Sequence, residues 1–153
     1  MKKLRCKDFE EFRKYEGKDL PVGEWITVTQ KMINSFAEAT LDFQWIHTDV
    51  AKAKAQSPFK TTVAHGFLSV SLLSKMLGDV VEVESAQMGV NYGLNKVRFP
   101  SPVVVNSQLR ALGRIVKIED YGEGGLKITW HCGVEIKDEE KPACVAEFIS
   151  LMF

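Results

Sequence analysis

The sequence predicts an α+β domain in which one antiparallel sheet curves around a single buried helix. Two observations carry that expectation. Over residues 64–77, the side chains of Phe67, Leu68, Val70, Leu72, Leu73, Met76 and Leu77 fall on every face of a 3.6-residue helix, interrupted only by serines and one lysine. A surface helix confines its apolar residues to one stripe, so this one should be enclosed by protein. At about 14 residues it is also shorter than the roughly 20 a bilayer crossing needs. Past Gly78 the period changes, and long β-branched or aromatic segments occupy 86–92, 103–118, 126–136 and 144–152. They are separated by turn signals at 100–102, 121–125 and 137–142.

At the start of the chain, Asp8 and Glu11 read as an N-cap and its capping-box partner for a short helix carrying Phe9, Phe12 and Tyr15, which Gly17 stops. Residues 24–28 (EWITV) alternate apolar and polar side chains as a half-buried strand does. Thr29 caps a second helix with Met32, Ile33, Phe36, Ala37 and Ala39 on its apolar face, and that helix delivers the chain to Asp42. Thr48 or Asp49 caps a short helix over 50–55, ended by Ser57-Pro58-Phe59. A threonine at 61 or 62 is placed to accept from the first free amides of the buried helix. With the early strand, the later segments make about five antiparallel strands. Five strands around one long central helix is the arrangement called a hotdog. A lone sheet of this kind leaves an edge strand and part of its helix uncovered, so a homodimer joined sheet to sheet is expected.

Composition narrows the function. With 153 residues and 45% apolar content, the whole chain, 1–153, reads as one domain with a sizeable core. Twenty basic and twenty acidic residues cancel, so no cationic field favours nucleic acid. The first residues lack the apolar run of a signal peptide and no stretch is long enough for a membrane span, which points to the cytoplasm and away from membranes. Cys6, Cys132 and Cys144 are odd in number and widely spaced, and read as reduced thiols rather than a disulfide framework. No phosphate-loop or dinucleotide glycine pattern occurs, so no nucleotide cofactor is implied.

The chemistry concentrates just before the buried helix. Asp42 and His47 lie in the segment Leu41-Asp42-Phe43-Gln44-Trp45-Ile46-His47, which is neither polar like a surface loop nor periodic like a helix. An aspartate and a histidine so placed can be no more than a helix-end residue and a loop residue. Their apolar flanks favour a partly desolvated pocket, where an imidazole titrates near neutrality and a carboxylate orients water. Gly66 has two readings, close packing at the helix start or exposed backbone N–H groups that receive a ligand oxygen. His65 reads as a structural histidine bonding to backbone beside this oxyanion and substrate end. Ser69, Ser71 and Ser74 read as spacers bonding back to the i−4 carbonyl. No metal is expected, because the spacing of His47, His65 and His131 offers no ligand pair, and His131 reads as an ordinary strand residue.

Asp42-Phe43-Gln44-Trp45-Ile46-His47, with Ser57-Pro58-Phe59, Ala64-His65-Gly66-Phe67-Leu68 and the segment 97–103 (VRFPSPV), resembles the MaoC-like (R)-specific enoyl-CoA hydratases, in the branch that includes nodulation protein N. The resemblance implies hydration of a trans-2-enoyl thioester of coenzyme A or acyl carrier protein to the (R)-3-hydroxyacyl thioester, or the reverse, without a metal or redox cofactor. It implies Asp42 and His47 as the water-holding dyad and the Gly66 amide as the thioester oxygen site. It further implies Ser74 as a support for the active-site carboxylate. Leu41 stands where the family usually has glycine, and Gln44 and Trp45 replace its asparagine and proline, with Trp45 positioned to narrow an acyl pocket. A hotdog thioesterase and a non-catalytic acyl-thioester-binding module are the alternative functions, each with its own readout: thiol release, or binding without turnover.

Overall fold

The computed structural model describes residues 2–153. In chain order its elements are β1 (Leu4–Cys6), α1 (Phe9–Arg13), β2 (Ile26–Thr27), α2 (Gln30–Thr40), α3 (Trp45–Thr48), α4 (Val50–Gln56), α5 (Gly66–Ser71), α6 (Leu73–Val80), β3 (Val81–Val83), β4 (Gly89–Arg98), β5 (Gln108–Tyr121), β6 (Gly125–Ile136) and β7 (Cys144–Met152). The five-stranded sheet runs β2-β5-β6-β7-β4 with every pairing antiparallel. This is the hotdog expected from the sequence. A small parallel pair, β1 with β3, lies outside that expectation, since two three-residue strands leave no periodic signal.

Alternation places the core. Along β6, Leu126, Ile128, Trp130, Cys132, Val134 and Ile136 are buried, while the intervening side chains face outward. Phe12 of α1, Ile33 of α2 and Leu73, Met76 and Leu77 of α6 complete the same core from the other side. All three cysteines are free and buried. Burial pushes the Cys132 thiol up to about 12 and the Cys144 thiol up to about 11.

The central helix departs from expectation in two ways. It starts at Gly66 and continues to Val80, with a local irregularity at Leu72 that the bonds Leu72 N–H to Leu68 O (3.1 Å) and Met76 N–H to Leu72 O (2.9 Å) carry it across. It is also enclosed on one side only. Leu68, Ser69, Leu73, Met76, Leu77 and Val80 are buried, but Phe67 is 65% exposed and Ser71, Ser74 and Gly78 face solvent. The uncovered face looks toward β4, an edge strand whose Val90, Tyr92 and Leu94 are exposed.

Most helix starts carry the caps that local sequence implies. The Asp8 carboxylate accepts from Glu11 N–H (2.9 Å), although Glu11 returns its carboxylate to Lys7 N–H rather than to Asp8. Thr29 accepts from Met32 N–H as predicted, and of the two candidates Thr48 and Asp49 it is Asp49 that accepts from Lys52 N–H. The buried helix differs: His65, not a threonine, occupies its cap position and makes no side-chain cap bond. Three strands differ in extent as well. The one expected at 24–28 is two residues long, the one expected at 86–92 runs instead over β4, and the one expected at 103–118 is β5, because residues 103–105 pair with 62–64 instead.

The connection from β4 to β5 crosses the start of the central helix. There Ala64 N–H donates to Val103 O (2.7 Å) and Val105 N–H to Thr62 O (3.0 Å). Residues 62–64 are thereby held as an extended rung between this crossing and α3.

Candidate active site

Three side chains meet at the head of the central helix. Donor atoms of Asp42, His47 and His65 all lie within 4.8 Å of one another. The His47 and His65 rings stack, with centroids 3.7 Å apart and planes inclined by 24°. Phe36 of α2 closes the far side of His65 at 5.0 Å. His47 and His65 are buried, whereas the Asp42 side chain is 55% exposed.

Local structure explains each placement. Helix α2 ends at Leu41, which sits in the left-handed region (φ 60°), and this reversal turns the chain so that Asp42 faces back toward the helix head. Glycine is the usual residue for such a cap, so a leucine here is an exception. Gln44 N–H donates weakly to Asp42 Oδ1 (3.3 Å) and opens α3, the single turn that carries His47. His47 Nδ1 lies 2.6 Å from Val63 O. A carbonyl can only accept, so this nitrogen carries the proton, and the other ring nitrogen of the neutral imidazole is an acceptor. The same rule protonates His65 Nε2, which donates to the Asp42 carbonyl at 2.9 Å and lies 3.9 Å from Asp42 Oδ2. His65 Nδ1 is the buried side-chain polar atom that lacks a hydrogen-bond partner among the described residues.

Electrostatics favour a neutral His47. Burial pushes its pKa below the ordinary 6.5, partly opposed by the bond to Val63; His65 lowers it further and Asp42 raises it. A neutral imidazole with a free acceptor nitrogen, next to a carboxylate, is suited to taking a proton from water.

Gly66 lies at the helix start, and its N–H makes no hydrogen bond among the described residues. A Cβ there would come within 2.8 Å of the Phe99 ring, so glycine is required by close packing as well. Phe99 and Gly66 border a cavity of about 330 Å³ with Ser69 and Val103. Ser74 is not drawn to Asp42: its hydroxyl donates to Asn91 Oδ1 (2.9 Å) on β4. Ser71 does bond back to Phe67 O, as a spacer serine should. The Trp45 ring has Lys52 Nζ over it at 5.0 Å. His131 is exposed on the outer face of the sheet.

Contrary to the expectation from spacing, the fold does make a histidine pair, stacking His47 on His65 across 18 positions of chain. The nearly parallel planes send their in-plane lone pairs alongside one another rather than toward one point, an arrangement unlike the convergent ligands of a tetrahedral ion. Sequence reasoning missed two polar residues behind His47. Gln30 at the start of α2 donates through Nε2 to His47 O (2.8 Å) and accepts through Oε1 from the Thr62 hydroxyl (2.5 Å). By sequence a threonine at 61 or 62 reads as a helix cap, and nothing in the local pattern singles out Gln30.

A five-stranded antiparallel sheet packed on a central helix is a fold shared with solved MaoC-like proteins. Residues 11–130 match the model of the MaoC like domain, and the chain belongs to that family. It is 46% identical over 133 residues to 3-hydroxyacyl-thioester dehydratase Z of Mycobacterium tuberculosis, covering 87% of each chain. It is 42% identical over 137 residues to nodulation protein N of Rhizobium leguminosarum bv. viciae, covering 89% of this chain and 85% of that one. Among solved structures, the monoamine oxidase regulatory protein of Archaeoglobus fulgius superposes with a TM-score of 0.76 at 26% identity, covering 99% and 97%. The resemblance read from the 42–47 and 64–68 segments is therefore borne out at the level of family.

Proposed function

We propose that this chain is an (R)-specific enoyl-thioester hydratase, or 3-hydroxyacyl-thioester dehydratase in reverse, acting on a thioester of coenzyme A or acyl carrier protein. The observation that carries the reading is the convergence of Asp42 and neutral His47 beside the start of the central helix. The 46% identity to a protein named as a 3-hydroxyacyl-thioester dehydratase supports it.

In the hydration direction, a water held between Asp42 and His47 loses a proton to the pair and its oxygen bonds to Cβ of the enoyl group. The C=C π electrons move to Cα and the carbonyl oxygen, and the enolate oxygen rests on the Gly66 N–H, a contact of the kind worth about 3 kcal/mol. Cα then takes the proton back from the pair. Asp42 and His47 act as a coupled set, so neither is assigned as the sole base. Ser74 reaches Asn91 within this chain, and as a site residue it serves the groove facing β4 rather than the carboxylate. The exposed edge β4 and the open helix face beside it support a homodimer, and three free buried thiols suit the cytoplasm.

The test is hydration of crotonyl-CoA, followed by loss of enoyl absorbance with product configuration determined. Asp42→Ala and His47→Ala should each lower kcat by about 10²–10⁴ with the fold intact. Parent-like turnover in both variants, or release of free thiol in place of hydration, would overturn the proposal.

A further inference from the structure

The rung that receives the His47 ring is itself locked to the turn that carries it. Ile46 O accepts from Val63 N–H (3.0 Å), and His47 Nδ1–H donates to Val63 O (2.6 Å). These two bonds join α3 to residues 62–63 on one side. On the other, a single side chain spans both pieces: Gln30 donates to His47 O and receives the hydroxyl of Thr62, the residue before Val63. Thr62 is fully buried, and Asn34 Oδ1 (2.9 Å) takes the second Gln30 N–H, which fixes which way the amide points.

We infer that Gln30 and Thr62 are positioning residues that hold the His47 imidazole in its Nδ1–H form, leaving its other nitrogen free to accept a proton. The inference rests on the hydratase reading for its kinetic consequence but not for its structural one. The tautomer of an imidazole is set by what its other nitrogen meets, and here that partner is a main-chain carbonyl whose distance from the ring depends on how residues 46–47 and 62–63 are held together. Remove the bridge, and the His47 carbonyl and the buried Thr62 hydroxyl each lose a partner. The single turn α3, four residues long, has few bonds of its own to resist a shift. Neither Gln30 nor Thr62 borders the cavity beside Gly66, so thioester binding should be spared while the proton transfer is not.

The experiment compares Gln30→Leu, Thr62→Val and Thr62→Ser in the full chain. Nitrogen-15 NMR of the imidazoles reads the His47 tautomer, with His47→Gln used to assign the signal, and steady-state hydration of crotonyl-CoA reads kcat and KM. Gln30→Leu and Thr62→Val should lose the pure Nδ1–H signature and lower kcat on the order of tenfold to a hundredfold, with KM held within about twofold. Thr62→Ser, which keeps the hydroxyl, should recover most of both. A Gln30→Leu protein that keeps the Nδ1–H signature overturns the inference, and so does an activity loss explained wholly by an unfolded fraction. The NMR readout needs no turnover. A parent that fails to hydrate crotonyl-CoA would thus count against the hydratase reading alone, leaving the bridge to be judged on the His47 ring.

Discussion

His47 is where the residue-level physics is most direct. Burial drives its pKa below the ordinary 6.5 of an imidazole, so it stays neutral under mildly acidic conditions where an exposed histidine is already charged. If neutral His47 is the form that works, the acid limb of kcat/KM should fall below about 6.5; a limb at or above that value would point to another group. Stability carries the same sign. The unfolded chain takes up the proton first, so the contribution of His47 is fully present above its unfolded pKa and is lost as pH falls toward the lower folded value. Denaturation midpoints followed against pH should show a drop in the parent that His47→Gln lacks. His65, stacked on this ring and donating to the Asp42 carbonyl, performs the backbone bonding predicted for it.

At the scale of elements, the decisive piece is the end of α2. Leu41 holds a left-handed conformation that costs an ordinary side chain about 1–2 kcal/mol, and with 79% exposure it gains little packing in return. Leu41→Gly should therefore raise the thermal midpoint, by a net stabilisation of about 0.5 kcal/mol once glycine's greater freedom in the unfolded chain is set against the relieved strain. An unchanged or lower midpoint would mean the leucine makes a contribution its exposure hides. The central helix shows a related effect. Its buried residues, Leu68, Leu73, Met76, Leu77 and Val80, face the sheet, while within the described residues the side bearing Phe67, Ser71 and Ser74 is left open.

For the whole molecule, that open face and the edge β4 belong to one surface. Ten residues of edge strand bearing exposed Val90, Tyr92 and Leu94 form a template that natural proteins seldom leave bare. The protein should sediment at twice its 17.2 kDa chain mass, and Leu94→Glu should shift it toward the monomer. A parent that is monomeric at micromolar concentration would reject the sheet-to-sheet dimer.

Much of this was legible in the chain itself. Periodicity placed β5, β6 and β7 and the central helix, because a half-buried strand and a packed helix each leave a repeating trace. Capping residues at 8, 29 and 49 marked their helices, since a cap is a bond between near neighbours. The Asp42-to-His47 spacing and the His65-Gly66 pair pointed to the helix head at which Asp42, His47 and His65 come together. What only the tertiary structure decided were contacts between positions far apart: His47 stacked on His65, the ring bonded to Val63, Gln30 bridging to Thr62 across 32 residues, and Ser74 turned to Asn91 instead of Asp42. The physical reason is that local order is written in the period of side chains along one element. Which nitrogen of an imidazole keeps its proton depends on a carbonyl brought to it by the packing of several.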